Sequence, residues 1–175
     1  RTFSEVIARE DIVALSVATR PDCLPDDVLE LLSKLNRKKP VWVELGLQTA
    51  NENTAEYIRR CYKNDVFNDA VARLKNENID VITHIILGLP DETREDMLNS
   101  VRFAVDAGTK GIKLQLLHVL ENTDLSEDYK SGKFKTLELD EYLEILFDCI
   151  EIIPKTVVIH RLTGDAPKKF LVSPL

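Results

Sequence analysis

Three histidines, His84, His118 and His160, are all the histidine in this 175-residue chain, and each stands late in a run rich in apolar residues. Alternation along an extended run carries successive side chains to opposite faces. In Val41-Trp42-Val43-Glu44-Leu45-Gly46-Leu47-Gln48 it groups Glu44, Gly46 and Gln48; in Val81-Ile82-Thr83-His84-Ile85-Ile86-Leu87-Gly88 it groups His84, Ile86 and Gly88. Arg161 follows His160, and Thr19-Arg20-Pro21-Asp22 follows the first run. Imidazoles and a carboxylate at neighbouring strand ends suit zinc or iron, so His84, His118, His160 and Glu44 could hold one divalent ion in a metal-dependent hydrolase. Glu44 is equally suited to a structural pair with Lys113 or Arg161, and each histidine to a hydrogen-bonded place in the core. Gly46 and Gly88 either mark bends or let a ligand reach the backbone.

Positioning these groups requires strands, and the apolar runs predict them at Ile12–Val17, Val41–Leu47, Val81–Leu87, Ile112–Val119 and Val157–His160. Helical patterns fill the gaps. Val28, Leu31, Leu32 and Leu35 follow Pro25; Asp65 is a candidate cap for a helix burying Phe67, Ala70, Val71 and Leu74. Thr93 with Asp96 forms an acidic variant of a capping box, and Gly108 supplies the stop. Leu139, Tyr142, Leu143, Leu146, Phe147 and Ile150 give the last helix its apolar stripe, ended by Pro154. Strand and helix in alternation predict an α/β fold with a parallel sheet and right-handed crossovers. Five strands are too few for a closed eight-stranded barrel, which typically needs about 250 residues. The sheet is therefore open or belongs to a barrel with further strands, and a chain that begins at Arg1 reads as a piece of a longer protein. Polar groups at every strand end point to ligand binding at the carboxyl edge, as in other α/β sheets.

Hydrophobic residues at 44% and charged residues at 30% are those of a globular domain, not of a disordered tail, a collagen-like repeat or a disulfide miniprotein. A net charge of −7 disfavours general attraction to phosphate backbones or anionic bilayers; Arg37-Lys38-Lys39 and Lys168-Lys169 read as solvated faces. The longest apolar run, Ile12 to Leu15, falls far short of the roughly 20 residues of a membrane span. Cys23, Cys61 and Cys149 are too widely spaced for a disulfide framework or a metal motif, which predicts reduced thiols and a cytoplasmic protein that holds no metal on this chain. A non-catalytic binding module recruiting a protein or RNA remains a further reading.

Taken together, five segments carry a resemblance. Thr19-Arg20-Pro21-Asp22-Cys23-Leu24-Pro25, Glu44-Leu45-Gly46-Leu47-Gln48-Thr49-Ala50-Asn51, the stretch from His84 to Thr93, the stretch from His118 to Leu125 and the stretch from Ile159 to Asp165 resemble the later strands of radical SAM enzymes. The likeness is to the YhcC/YtqA group, whose core is similar to that of the elongator catalytic subunit. It implies a partial (βα) barrel with the N-terminal strands missing, residues 1–175 being the C-terminal portion of one barrel domain. It also implies a four-iron four-sulfur cluster and S-adenosylmethionine, cleaved reductively to a 5′-deoxyadenosyl radical that abstracts hydrogen. By the same resemblance, Gln48 bonds the ribose hydroxyls, and Arg60, on the helix that follows, holds the methionine carboxylate. Ile86, Leu87 and Gly88 read adenine through their backbone, and Val119 and Leu120 complete the adenine contact. Glu44, His84, His118, His160 and Arg161 then line the substrate lumen, the substrate being an RNA or a protein. The family's cysteine triplet, C-x3-C-x2-C, is absent from this chain, so the chain alone is expected to lack cluster ligands and radical chemistry.

Overall fold

The computed structural model describes residues 2–174. Its strands are β1 (Leu15–Thr19), β2 (Val41–Gln48), β3 (Asp80–Leu87), β4 (Gly111–Leu116), β5 (Val119–Leu120), β6 (Val158–Arg161) and β7 (Leu171–Ser173). Its helices are α1 (Thr2–Ile7), α2 (Asp26–Asn36), α3 (Glu52–Tyr57), α4 (Asn64–Asn76), α5 (Arg94–Ala107), α6 (Asp124–Lys130) and α7 (Leu139–Ile152), with 3-10 turns at Pro21–Cys23 and Lys168–Phe170. A five-stranded sheet runs in the order β1-β2-β3-β4-β6 with every neighbouring pair parallel, and among the described residues it closes no barrel.

One face of this sheet is covered by helices. Val41, Val43, Leu45 and Leu47 alternate along β2 at 3% exposure or less, packed in one core with Leu32 and Leu35 of α2, Phe67 and Leu74 of α4, Met97 and Val101 of α5 and Leu146 of α7. The opposite, concave face carries the intervening residues and is only half-buried. Helix starts follow local chemistry. In α5 the Thr93 hydroxyl accepts from the Asp96 N–H while Asp96 accepts from the Thr93 N–H, satisfying two otherwise unpaired donors, and Gly108 ends the helix at φ 99°.

Several predicted boundaries move. The first strand starts at Leu15, where the Leu15 N–H donates to Pro40 and pairing with Val41 begins, rather than at Ile12. Asp65 lies inside the first turn of α4, bonding the Val66 N–H, and Lys63 is the cap position. The predicted Ile112–Val119 strand is two elements. β4 stops at Leu116, and Val119–Leu120 pairs antiparallel with β7, because Leu171–Ser173 returns to offer an alternative edge. The buried side of α7 is Tyr142, Ile145, Leu146 and Cys149, which leaves Leu139 and Phe147 of the predicted stripe mostly exposed.

Candidate functional site

Register along the concave face brings Glu44, His84 and Lys113 onto adjacent strands, with Gly46 opposite His84 and His84 opposite Lys113. Glu44 Oε1 accepts from the Ser16 hydroxyl at 2.8 Å; its Oε2 accepts from Lys113 Nζ and lies 2.7 Å from His84 Nε2. Burial by itself would raise the Glu44 pKa, but the donors Lys113, Ser16 and His84 outweigh it and hold the carboxyl at about 2. An ionised Glu44 accepts only, so His84 Nε2 carries the proton; Nδ1 then accepts from Gln115 Nε2 at 3.1 Å. Burial lowers the His84 pKa against the pull of Glu44, and Lys113 lowers it further. The result is a neutral imidazole held in one tautomer between a carboxylate and an amide.

At the carboxyl edge, β2 ends in Gln48 at φ 65°, a left-handed conformation that a non-glycine residue adopts at a cost of about 1–3 kcal/mol. The turn folds the Gln48 amide back over Gly46. A Cβ at Gly46 would lie 2.5 Å from Gln48 Nε2, so a side chain there would push the Gln48 amide out of this position. Gln48 lines a pocket of about 350 Å³ together with Arg20, Arg60, Tyr62, Ile86 and the apolar groups of Leu89 and Leu117, with Ile58 and Leu125 at its other side. Tyr62 donates its hydroxyl to the Gly46 carbonyl. Its ring is flanked by the guanidinium of Arg60 at 4.8 Å and that of Arg20 at 5.4 Å.

Arg60 stands in the turn after α3, between Arg59 and Cys61 at φ 55° and 67°, and not on the helix. It donates to the carbonyls of Tyr62, Leu47 and Thr49 and to Asn64 Oδ1, and it meets Glu52 at 3.3 Å. With 2% of its side chain exposed, it braces the turn that carries Gln48. A free fork for a carboxylate is therefore not what this residue presents: what remains to a ligand is the Nη2 edge.

Behind that turn, Thr49 donates to Glu92, the Ala50 N–H donates to Ser100 Oγ at 2.8 Å, and Asn51 Nδ2 reaches Asp96. Glu92 Oε2 is buried without a partner among the described residues, and burial, with Asp96 adding to it, lifts the carboxyl to about 7. Ser16, Lys113, Gln115, Tyr62 and Glu92 were not singled out from the sequence as site residues. The signal for Lys113 and Gln115 was present as polar intrusions at alternate positions of an apolar strand. Tyr62 and Glu92 lie in turns, where no periodicity marks them.

The remaining candidates scatter. Leu87 is fully buried and its carbonyl accepts from the Leu117 N–H; the Gly88 N–H donates to Met97 Sδ, and a Cβ there would strike Leu137. Of the expected adenine strand only Ile86 faces the pocket. Val119 and Leu120 sit in the small sheet with β7, and the wall on that side is Leu117. His118, between β4 and β5, packs by Gly164 and forms no hydrogen bond with Glu44, Gln48 or His84; a Cβ at Gly164 would lie 3.0 Å from its ring. His160 is exposed over Gly111, and Arg161, also exposed, is close enough to influence His84 electrostatically. Among the described residues no three His, Cys, Asp or Glu side chains are placed to hold a metal ion, which removes the geometric basis for one ion on His84, His118, His160 and Glu44. Of the cysteines, Cys23 and Cys61 are exposed and Cys149 is buried in the core.

A parallel sheet with one helix-covered face, one polar face and a pocket at its carboxyl edge defines an α/β scaffold, and sequence comparison identifies its family. The chain belongs to the Radical SAM superfamily, which matches residues 3–104, and the Radical_SAM C-terminal domain matches residues 109–175. It is 42% identical to the uncharacterized protein YtqA of Bacillus subtilis over 99% of this chain and 54% of that protein. It is 32% identical to protein YhcC of Escherichia coli over 99% of this chain and 56% of that one, so the chain spans about half the length of these relatives. Among solved structures, the archaeal Elp3 of Methanocaldococcus infernus, with residues 1–46 deleted, superimposes with a TM-score of 0.82 at 27% identity, covering 91% of this chain and 38% of that one. No helix among the described residues is long and apolar enough to cross a membrane.

Proposed function

We propose that residues 1–175 form the C-terminal portion of a radical SAM barrel domain and supply part of its S-adenosylmethionine pocket and substrate lumen. The observation that carries this reading is the convergence, in one pocket at the carboxyl edge of the sheet, of the Gln48 amide, the Ile86 side chain and the apolar groups of Leu89 and Leu117. That donor set fits a nucleoside. Gln48 offers a donor and an acceptor to ribose hydroxyls, and Ile86, Leu89 and Leu117 offer apolar walls to a purine. Arg60 acts by holding the turn that aims Gln48. The chemistry that bound S-adenosylmethionine and a four-iron four-sulfur cluster supply is reductive cleavage to a 5′-deoxyadenosyl radical. Ligands for the cluster lie outside this chain in the proposal, since no three His, Cys, Asp or Glu side chains among the described residues are placed to hold a metal ion.

Glu44, His84, Lys113 and Gln115 then form the substrate-facing floor. There His84 presents a neutral ring whose Nδ1 can accept a proton if Gln115 moves aside, with Glu44 fixing the tautomer. The test is equilibrium binding of S-adenosylmethionine to the full-length protein. Gln48→Ala is expected to weaken it by about 3- to 10-fold, as loss of an ordinary hydrogen bond does. Unchanged affinity would overturn the ribose assignment.

A further inference from the structure

Two turns carry the pocket. The one after β2 holds Gln48 at φ 65°, and the one after β3 brings Leu89 to the wall and holds Asp91 at φ 60°. Neither residue is a glycine, so each turn occupies a backbone region that its surroundings must enforce. Glu92 ties one turn to the other. Its N–H donates to the Leu89 carbonyl at 3.2 Å, and its carboxyl accepts from the hydroxyl of Thr49, which is fully buried next to Gln48. The Thr49 hydroxyl in turn accepts from the Asn51 N–H at 2.9 Å.

That tie suits a carboxylic acid better than a carboxylate. Glu92 Oε2 is buried with no hydrogen-bond partner among the described residues. The donors around it are committed elsewhere: Asn51 Nδ2 and the N–H and hydroxyl of Thr93 serve Asp96, and the Ala50 N–H serves Ser100. Among the described residues the charged group that acts on Glu92 is the Asp96 carboxylate of α5 and not a cation; the Thr49 and Thr54 hydroxyls favour the ionised form and are outweighed by burial. A buried charge with no cation beside it costs far more than a neutral carboxyl, and it is relieved by drawing in water, which requires the two turns to part.

We infer that Glu92 is a positioning residue of the pocket, whose protonated carboxyl fastens the turn that carries Gln48 to the turn that carries Leu89, so that loss of this one proton loosens the ligand site. The inference rests on the nucleoside pocket proposed above and adds its regulation by pH. By linkage, ligand binding and protonation of Glu92 favour each other.

The experiment measures binding of 5′-methylthioadenosine between pH 6 and 8.5 to full-length wild-type protein, Glu92→Gln and Thr49→Val, with thermal unfolding as a folding control. This probe keeps the nucleoside and the sulfur and carries no amino or carboxyl group that would itself titrate. Wild type is expected to weaken about 10-fold or more across that range. Glu92→Gln, a neutral isostere, should bind equally at both ends of it, and so should Thr49→Val, which cuts the tie and leaves Glu92 free to titrate. A flat wild-type profile would overturn the inference, as would the same fall in both variants. Failure of the nucleoside pocket is distinguishable, because the probe would then bind wild type at no pH. In that case amide hydrogen exchange at Thr49, Ala50 and Asn51 decides: faster exchange in wild type than in Glu92→Gln at pH 8.5 but not at pH 6 supports the inference, and equal exchange at both overturns it.

Discussion

Two faces of one strand divide the work of this protein. On β2, Val41, Val43, Leu45 and Leu47 point into the helix-covered core and are almost wholly buried, while Trp42, Glu44, Gly46 and Gln48 point the other way and stay half-buried. The covered face is saturated by apolar contacts and can be read as pure stability. The concave face is saturated by hydrogen bonds, as Glu44 is by Ser16, His84 and Lys113. The contrast teaches that polar residues here are not loosely solvated. They are fixed, at the expense of burial, in a surface that the helices leave open.

If the covered face carries stability, Leu45→Ala should have the largest effect, about 2–5 kcal/mol in urea unfolding, from lost transfer energy and a cavity. A cost under about 1 kcal/mol would break the comparison. Next comes Arg60→Ala, which removes the donor of the buried Thr49 carbonyl and one of the two donors of the Leu47 carbonyl, and should cost about 1.5–3 kcal/mol. Arg60→Lys should recover little, since a single ammonium cannot reach the same set of acceptors.

A smaller effect, with a defined pH signature, belongs to the concave network. Glu44 is lowered from 4.5 to about 2, so its stabilisation is present above pH 4.5 and is lost as pH falls toward 2. Glu44→Gln should flatten acid unfolding in that window. The lowered His84 adds in the same direction, stabilising above its ordinary 6.5 and losing that as pH falls through its depressed value; its NMR titration midpoint should lie below 6.5. Glu92 runs oppositely. Raised from 4.5 to about 7, it favours the fold below pH 4.5 and loses that contribution as pH rises to 7, so Glu92→Gln should gain relative stability at pH 8 and none at pH 4. Smallest of all, Phe147→Ser on the exposed side of α7 should change stability by no more than about 0.5 kcal/mol.

Much of the fold was legible because its signals are local. Apolar runs located the five strands of the main sheet, and Thr93, Asp96 and Gly108 marked both ends of α5. The alternation that grouped Glu44 with Gln48 and His84 with Ile86 also held, because side-chain period in a strand is fixed by the backbone. Local signals failed where a distant segment competed. Nothing near Val119 announces that Leu171–Ser173 will pair with it, and so its place in the main sheet was misread. In α7, both Leu143 and Ile145 are apolar, and only the packing of α5 against that helix decides which side is buried.

By itself, then, the sequence determined the α/β class, the parallel order of strand and helix, the face on which Glu44, Gln48 and His84 stand, and the family through its motifs. Only the tertiary structure decided what those residues do for one another. It paired Glu44 with Lys113 rather than Arg161, sent His118 and His160 to separate surroundings, and gave Arg60 to the backbone carbonyls and Thr49 to Glu92. The reason is that residue type and spacing set which way a side chain points, whereas hydrogen-bond partners depend on strand register and on turns closed by residues far apart in the chain.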